Sequence, residues 1–236
     1  MATDPESNPG RETQRVAIVG RLGVHPMVPL SLPARRVIAF LALHDDPVSR
    51  SHAASRLWPD VPDSQSRSNL RRSLWQVPRG WVLAVGEDLE LDAEVDYRTA
   101  RAVAGAGLAG ERLGLEDIRL LSEDLLPGWH EEWTVAAQDS FQMLRVQALE
   151  AACRTMAGRR EFGLATQAGL AALSGAPLSE SAAEALIDAY LCQGNRYAAL
   201  AFFREFCRRL REELQVVPDA ALVMRLQSLG IHPQVR

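Results

Sequence analysis

The residues whose types and spacing could do chemistry lie between Asp63 and Pro78, in the run SQSRSNLRRSLWQV. At about 100° per residue, Leu70, Leu74 and Val77 share one narrow apolar stripe. Gln65, Ser68, Arg72 and Trp75 lie on the opposite side, flanked by Asn69 and Arg71. The guanidinium fork of arginine pairs bidentately with guanine, and the amide of glutamine or asparagine with adenine, each good pair discriminating by about 1–3 kcal/mol. Arg35, Arg36, Arg50, Arg56, Arg67 and Arg79 are then candidate phosphate contacts, which fix position without reading sequence. The same pattern also describes an ordinary solvated helix face, and spacing alone leaves both readings open.

Other chemistry finds little support. GAGLAG at 105–110 matches GxGxxG, but it follows an Ala-rich helical stretch where dinucleotide binding needs a strand, so it reads as a linker. His25, His44, His52, His130 and His232 have no ligand-like spacing with one another or with Cys153, Cys192 and Cys207. The cysteines are odd in number and fall in helical-looking stretches, where a small buried apolar residue fits. No metal, cofactor or disulfide framework is expected. Walker A and GxSxG sequences are absent. His130, Glu131 and Glu132 point different ways if helical, and acids belong at a helix start. The sequence does not read as an enzyme.

The elements needed to position these residues are legible in turn. Arg15–Val19 and Val28–Leu32 are predicted to form a small β-hairpin or meander. From Pro33 a helix places Val37, Ile38 and Leu41 inward with Arg35 and Arg36 outside. Asp45-Asp46-Pro47 ends it, and Ser49 is the predicted N-cap of a second helix with Ala53, Ala54, Leu57 and Trp58 on its apolar side. Asp63 is the predicted cap of the third, which Pro78 stops. WVLAV, the turn Gly86-Glu87-Asp88 and LEL then suggest a closing hairpin.

Beyond residue 92 the chain turns acidic and then Ala/Gly-rich over 102–110. From Glu131 onward it reads as helices, over 133–157, 161–173, 179–193, 196–214 and 218–229. A weak repeat sets Phe162 and Tyr197 one tetratricopeptide-like period apart. The fold class is mainly α with small β elements. The expected organisation is a disordered tail at 1–14, a first domain at 15–99, a linker or connecting helix region at 100–121 and a second domain at 122–236.

The net charge of -4 argues against a simple nucleic-acid binder until it is divided along the chain. Residues 1–86 carry 11 arginines against 7 acids, residues 87–139 carry 4 against 14, and residues 140–236 carry 11 against 9. The basic excess sits at the front. All 26 basic residues are arginine, a bias consistent with a GC-rich genome. No stretch approaches the roughly 18 consecutive apolar residues of a membrane span, and the polar start lacks a signal-peptide core, so a cytoplasmic location is expected.

Residues 15–99 resemble the winged helix of response-regulator effector domains, most clearly in PARRVIAFLALHDDPVSRSHAASRLWPD followed by SRSNLRRSLWQV. Residues 122–230 resemble the bacterial transcriptional activator domain, from SEDLLPGWHEEWTVAAQDSFQMLRVQALEAA to YAALAFFREFCRRLREELQVVPDAAL. In this order the two resemble the Streptomyces antibiotic regulatory protein family. The resemblance implies an N-terminal winged helix, a helix-turn-helix reader, followed by a tetratricopeptide-like α-helical repeat domain. It further implies an activator that binds double-stranded promoter DNA at direct repeats and recruits RNA polymerase, through a sigma factor or another subunit, commonly at secondary-metabolite genes. By position, Gln65, Ser68, Arg71 and Arg72 would read bases in the major groove. Repeated half-sites would favour a homodimer on DNA.

Two departures support a rival reading. The third helix is cut at Pro78, and the wing carries Glu87 and Asp88, whose carboxylates repel phosphates. The alternative is a protein-interaction adaptor whose winged helix has lost DNA binding. Trp129 and Trp133 are candidate partner-docking residues in the second half, although paired tryptophans near a helix start more often serve as packing anchors.

Overall fold

The computed structural model describes residues 13–228, so most of the expected tail at 1–14, and His232, lie outside the described residues. Within that range the chain forms two compact units. One takes the chain up to Thr99 together with Leu125–Ala137; the other takes Ala100–Asp124 and the chain from Gln138 onward.

In the first unit, β1 (Arg15–Ala17) pairs antiparallel with β2 (Gly23–His25), Val16 opposite Val24. The second strand therefore lies earlier than Val28–Leu32, because Pro26 and Pro29 lack the N–H groups a ladder needs and Ser31 already caps a helix. That helix, α1 (Leu32–Ala42), is held by the Ser31 hydroxyl accepting from the Ala34 N–H at 3.4 Å, and it buries Val37, Ile38 and Leu41. The two-residue strand β3 (Val48–Ser49) leads into α2 (Arg50–Leu57), where Ser49 accepts from the His52 N–H at 3.2 Å as predicted. In α3 (Asp63–Leu74) the cap position falls on Pro62; Asp63 is the first helical residue, its carboxylate favourable at the positive end of the helix dipole.

The closing hairpin is β4 (Val82–Val85) and β5 (Asp88–Leu91), with Asp88 already in the strand and Gly86 supplying the positive φ of the turn. Strand β5 is the centre of a β3-β5-β4 sheet, and β6 (Glu94–Val95) lies parallel to β1 in a β2-β1-β6 sheet. Both β3 and β6 are additions to the sequence reading. Residues 125–137 close the back of this unit: the Leu126 N–H donates to the Ile18 carbonyl at 2.8 Å, and Trp133 sits edge-on to Phe40 with ring centroids 5.5 Å apart.

The stretch expected as a linker or connecting region is filled by α4 (Asp96–Leu108) and α5 (Leu115–Ser122). Within α4, Gly107 packs so closely that an added Cβ would lie 3.0 Å from Leu113 and 3.3 Å from the Ala148 carbonyl. GAGLAG is thus mostly helix surface, where a phosphate-binding turn has no place. The second unit continues with α6 (Glu132–Gly158), whose first residues belong to the first unit, then α7 (Phe162–Gly175), α8 (Glu180–Cys192), α9 (Arg196–Leu214) and α10 (Ala220–Ser228). Helix α8 packs on both α7 and α9. Ile187, Phe203, Phe206, Leu210 and Leu226 share one core there, the helix-pair stacking of a tetratricopeptide-like repeat. The fold is mainly α with small sheets: α1, α2 and α3 with two three-stranded sheets in the first unit, and a helical-repeat arrangement in the second. Among the described residues no helix is long and apolar enough to cross a membrane.

Candidate nucleic-acid interface

Helix α3 turns Ser66, Leu70 and Ser73 into the first unit, a more polar inward face than the leucine stripe suggested. The two buried hydroxyls are satisfied within the helix, Ser66 donating to the Asp63 carbonyl and Ser73 to the Asn69 carbonyl, both at 2.9 Å. The opposite face carries the predicted readers. Gln65, Arg71 and Arg72 are exposed and Ser68 is half-buried. Gln65 donates to the Asn69 side chain at 3.0 Å, and the Ser68 hydroxyl to the Ser64 carbonyl at 2.9 Å. These are exchangeable surface contacts, so the row remains available to an outside partner.

The six predicted phosphate contacts divide into two groups. Arg35, Arg67 and Arg79 are exposed and Arg50 is half-buried, and among the described residues none of them forms an ion pair. Arg36 is already committed, and Arg56 stands beside a carboxylate. Arg36 donates to the Leu57 carbonyl at 2.7 Å, meets the Glu131 carboxylate at 3.2 Å and lies 5.6 Å over the Trp58 ring. Arg56 faces Glu132 at 3.8 Å. Arg36 therefore acts as an internal clamp, which corrects its placement among the phosphate contacts: helical periodicity puts it outside α1, but residues 125–137 cover it. Glu131 and Glu132 find their role here as partners of these arginines.

Three cations meet behind α3. Arg50 at the start of α2, Arg71 in the last turn of α3 and Arg79 in the turn before β4 line an open groove of about 530 Å³, with Trp75 at its side and no carboxylate in its lining. Trp75, which the helical spacing places on the outward row beside Arg72 without assigning it a role, is 86% exposed. A larger groove of about 1060 Å³ has the opposite sign, with Glu90, Asp92, Glu94 and Asp96 facing Arg15 and Arg98, and does not suit a phosphate.

The tryptophans of the second half behave as packing anchors. Trp133 is 7% exposed, edge-on to both Phe40 and Trp129, so burial removes it from the candidate docking residues, while Trp129 stays half-buried beside it. Among the described residues no group of histidine, cysteine and carboxylate side chains could hold a metal ion. Burial pushes the Cys153 thiol up to about 12, which keeps it an inert core residue.

The fold is similar to that of a solved structure, Mycobacterium tuberculosis EmbR in complex with a low-affinity phosphopeptide, with a TM-score of 0.58 and 21% identity. The similarity covers 93% of this chain, which spans 66% of that one. No curated protein matches the sequence. The family model for the bacterial transcriptional activator domain matches residues 92–229, from the end of the closing hairpin to the last described helix. Since that match takes in more than half of the sequence, the chain belongs to the bacterial transcriptional activator domain family.

Proposed function

We propose that the protein is a sequence-specific, DNA-binding transcription activator of the Streptomyces antibiotic regulatory type. Its winged helix, residues 15–99 completed by 125–137, binds promoter DNA, and its helical-repeat domain recruits RNA polymerase. The observation that carries this reading is the division of the arginines. Those on and around α3 are free of acidic partners among the described residues, whereas Arg36 and Arg56, toward residues 125–137, have carboxylates beside them. Arginines left without acidic partners form a surface that an outside polyanion can neutralise. Gln65, Ser68, Arg71 and Arg72 supply base contacts, and Arg35, Arg50, Arg67 and Arg79 the phosphate contacts. Repeated half-sites would seat two copies of the chain, and the protein would act in the cytoplasm.

Titrating the purified protein against fragments of its own upstream region and a scrambled control, at low and moderate salt, tests this. A preference for one fragment that persists at moderate salt is expected. The exposed Glu87 at the wing tip favours the adaptor reading, which would gain if no duplex binds at either salt.

A further inference from the structure

The groove behind α3 combines two chemistries. It is lined both by Arg50, Arg71 and Arg79 and by the apolar side chains of Leu74, Val77, Val82, Ala84 and Leu89. Trp75 stands at its side with most of the indole in water. Single exposed apolar side chains are ordinary on protein surfaces. Trp75 differs because it stands among three cations that form no ion pair among the described residues, beside a groove that no carboxylate lines. A sugar-phosphate strand presents the complementary alternation, with anionic phosphates separated by the apolar faces of deoxyribose.

We propose that this groove holds the phosphodiester backbone of one DNA strand bordering the contacted major groove, with Arg50, Arg71 and Arg79 on its phosphates and the Trp75 indole packed on a deoxyribose. The inference rests on the DNA-binding reading above. It moves Arg71 from base reading to backbone contact, because Arg71 lines the groove with Arg50 and Arg79. It also answers the acidic wing: three cations within the groove outweigh Glu87 and Asp88 outside its lining, so the wing lowers affinity without abolishing it. Because sugar and phosphate carry no sequence information, groove contacts strengthen binding to every duplex alike.

The test uses the full chain with a duplex from its own upstream region and a scrambled duplex of equal length, across a salt series. Trp75→Ala should weaken binding about tenfold on both duplexes alike, with Trp75→Phe retaining most of the affinity. Arg79→Ala and Arg71→Ala should each weaken both duplexes and reduce the slope of log affinity against log salt by about 1. Tryptophan fluorescence should be quenched on adding DNA in the wild type and much less in Trp75→Phe. Circular dichroism should be unchanged, since Trp75 is a surface residue. Wild-type binding with Trp75→Ala equally tight and an unchanged salt slope in Arg79→Ala would overturn the proposal alone. A Trp75→Ala loss confined to the upstream duplex would also overturn it, by making Trp75 a base reader. Failure of the wild type to bind either duplex would overturn the DNA-binding reading and this inference together.

Discussion

Arg36 and Arg72 are both arginines on the polar side of a helix of the first unit, yet the structure gives them opposite duties. Arg72 reaches into solvent, while Arg36 is held by the Leu57 carbonyl, Glu131 and the face of Trp58. Arg36→Ala should therefore cost about 1–3 kcal/mol of stability, through a lost charge-assisted hydrogen bond and a carboxylate left without its partner. Arg72→Ala should leave the melting temperature nearly unchanged and weaken binding to the cognate site by about 1–3 kcal/mol, with little effect on scrambled DNA. Thermal denaturation beside DNA titration separates the two, and equal melting shifts would mean that the clamp carries no energy. The helical period could not reveal this difference, because the partner of Arg36 comes from far along the chain. Asp96 has a duty of its own. Its carboxylate accepts from the Ile18 N–H at 2.8 Å and the Val19 N–H at 3.2 Å, and burial nonetheless pushes it above the ordinary 3.8. The folded state thus binds this proton more tightly than the unfolded chain. Its contribution to stability is full below pH 3.8 and is lost as pH rises through the folded value. Denaturant unfolding across that range should show the decline in the wild type and its absence in Asp96→Asn; a decline that survives the substitution would place its origin elsewhere.

At the scale of elements, the sequence was most legible where local chemistry decides. Ser49 caps α2, Pro33 falls in the first turn of α1, and α7, α8 and α9 lie within about two residues of their predicted bounds, a normal boundary uncertainty. It was least legible where pairing decides: β3 and β6 are two residues each, too short to show a period, and exist because β5 and β1 offer them a ladder. The candidate site divides the same way. The outward row of α3 follows from its spacing, whereas the meeting of Arg50, Arg71 and Arg79 needs α2, α3 and the hairpin brought together. Arg145 is a further tertiary feature, an arginine 2% exposed that donates to the Leu121 carbonyl at 3.2 Å and the Ser122 carbonyl at 3.0 Å, and pairs with Asp124. It satisfies the C-terminal end of α5 in place of a glycine cap. Arg145→Met should cost about 2–4 kcal/mol of stability, as those carbonyls and Asp124 lose their partner, with circular dichroism reading a lower melting temperature. Gly169→Ala should cost about 1–3 kcal/mol for a different reason: the added Cβ would lie 3.0 Å from both the Cys153 sulfur and Leu186, where α6, α7 and α8 pack. A Gly169→Ala protein as stable as wild type would show that this packing yields easily.

At the scale of the whole molecule, the unit that carries the candidate interface is not a continuous stretch of chain. Residues 125–137 contribute Leu126 and Trp133 to its interior, the latter on Phe40, and Glu131 to the Arg36 clamp. A fragment ending at Thr99 leaves Phe40 and Arg36 uncovered, as well as the Ile18 carbonyl, and should melt well below the full chain with weak near-ultraviolet dichroism. Truncating Trp133 to alanine in the full chain should by itself cost about 3–5 kcal/mol of the stability of this unit. The structure also supplies a remedy. Asp96 accepts from the Val19 N–H while Leu125 bridges to Val19 from the other side of the sequence gap, so the two chain ends to be joined lie close together. A short Gly/Ser linker from Thr99 to Leu125 should span them and restore the missing segment at little entropic cost. The expected outcome is a cooperative unfolding transition and DNA binding in the joined protein, with both much reduced in the fragment ending at Thr99. If that fragment melted and bound DNA as well as the joined protein, the segment would be a passive cover, and the Arg36–Glu131 pair would have no part in shaping the surface offered to DNA.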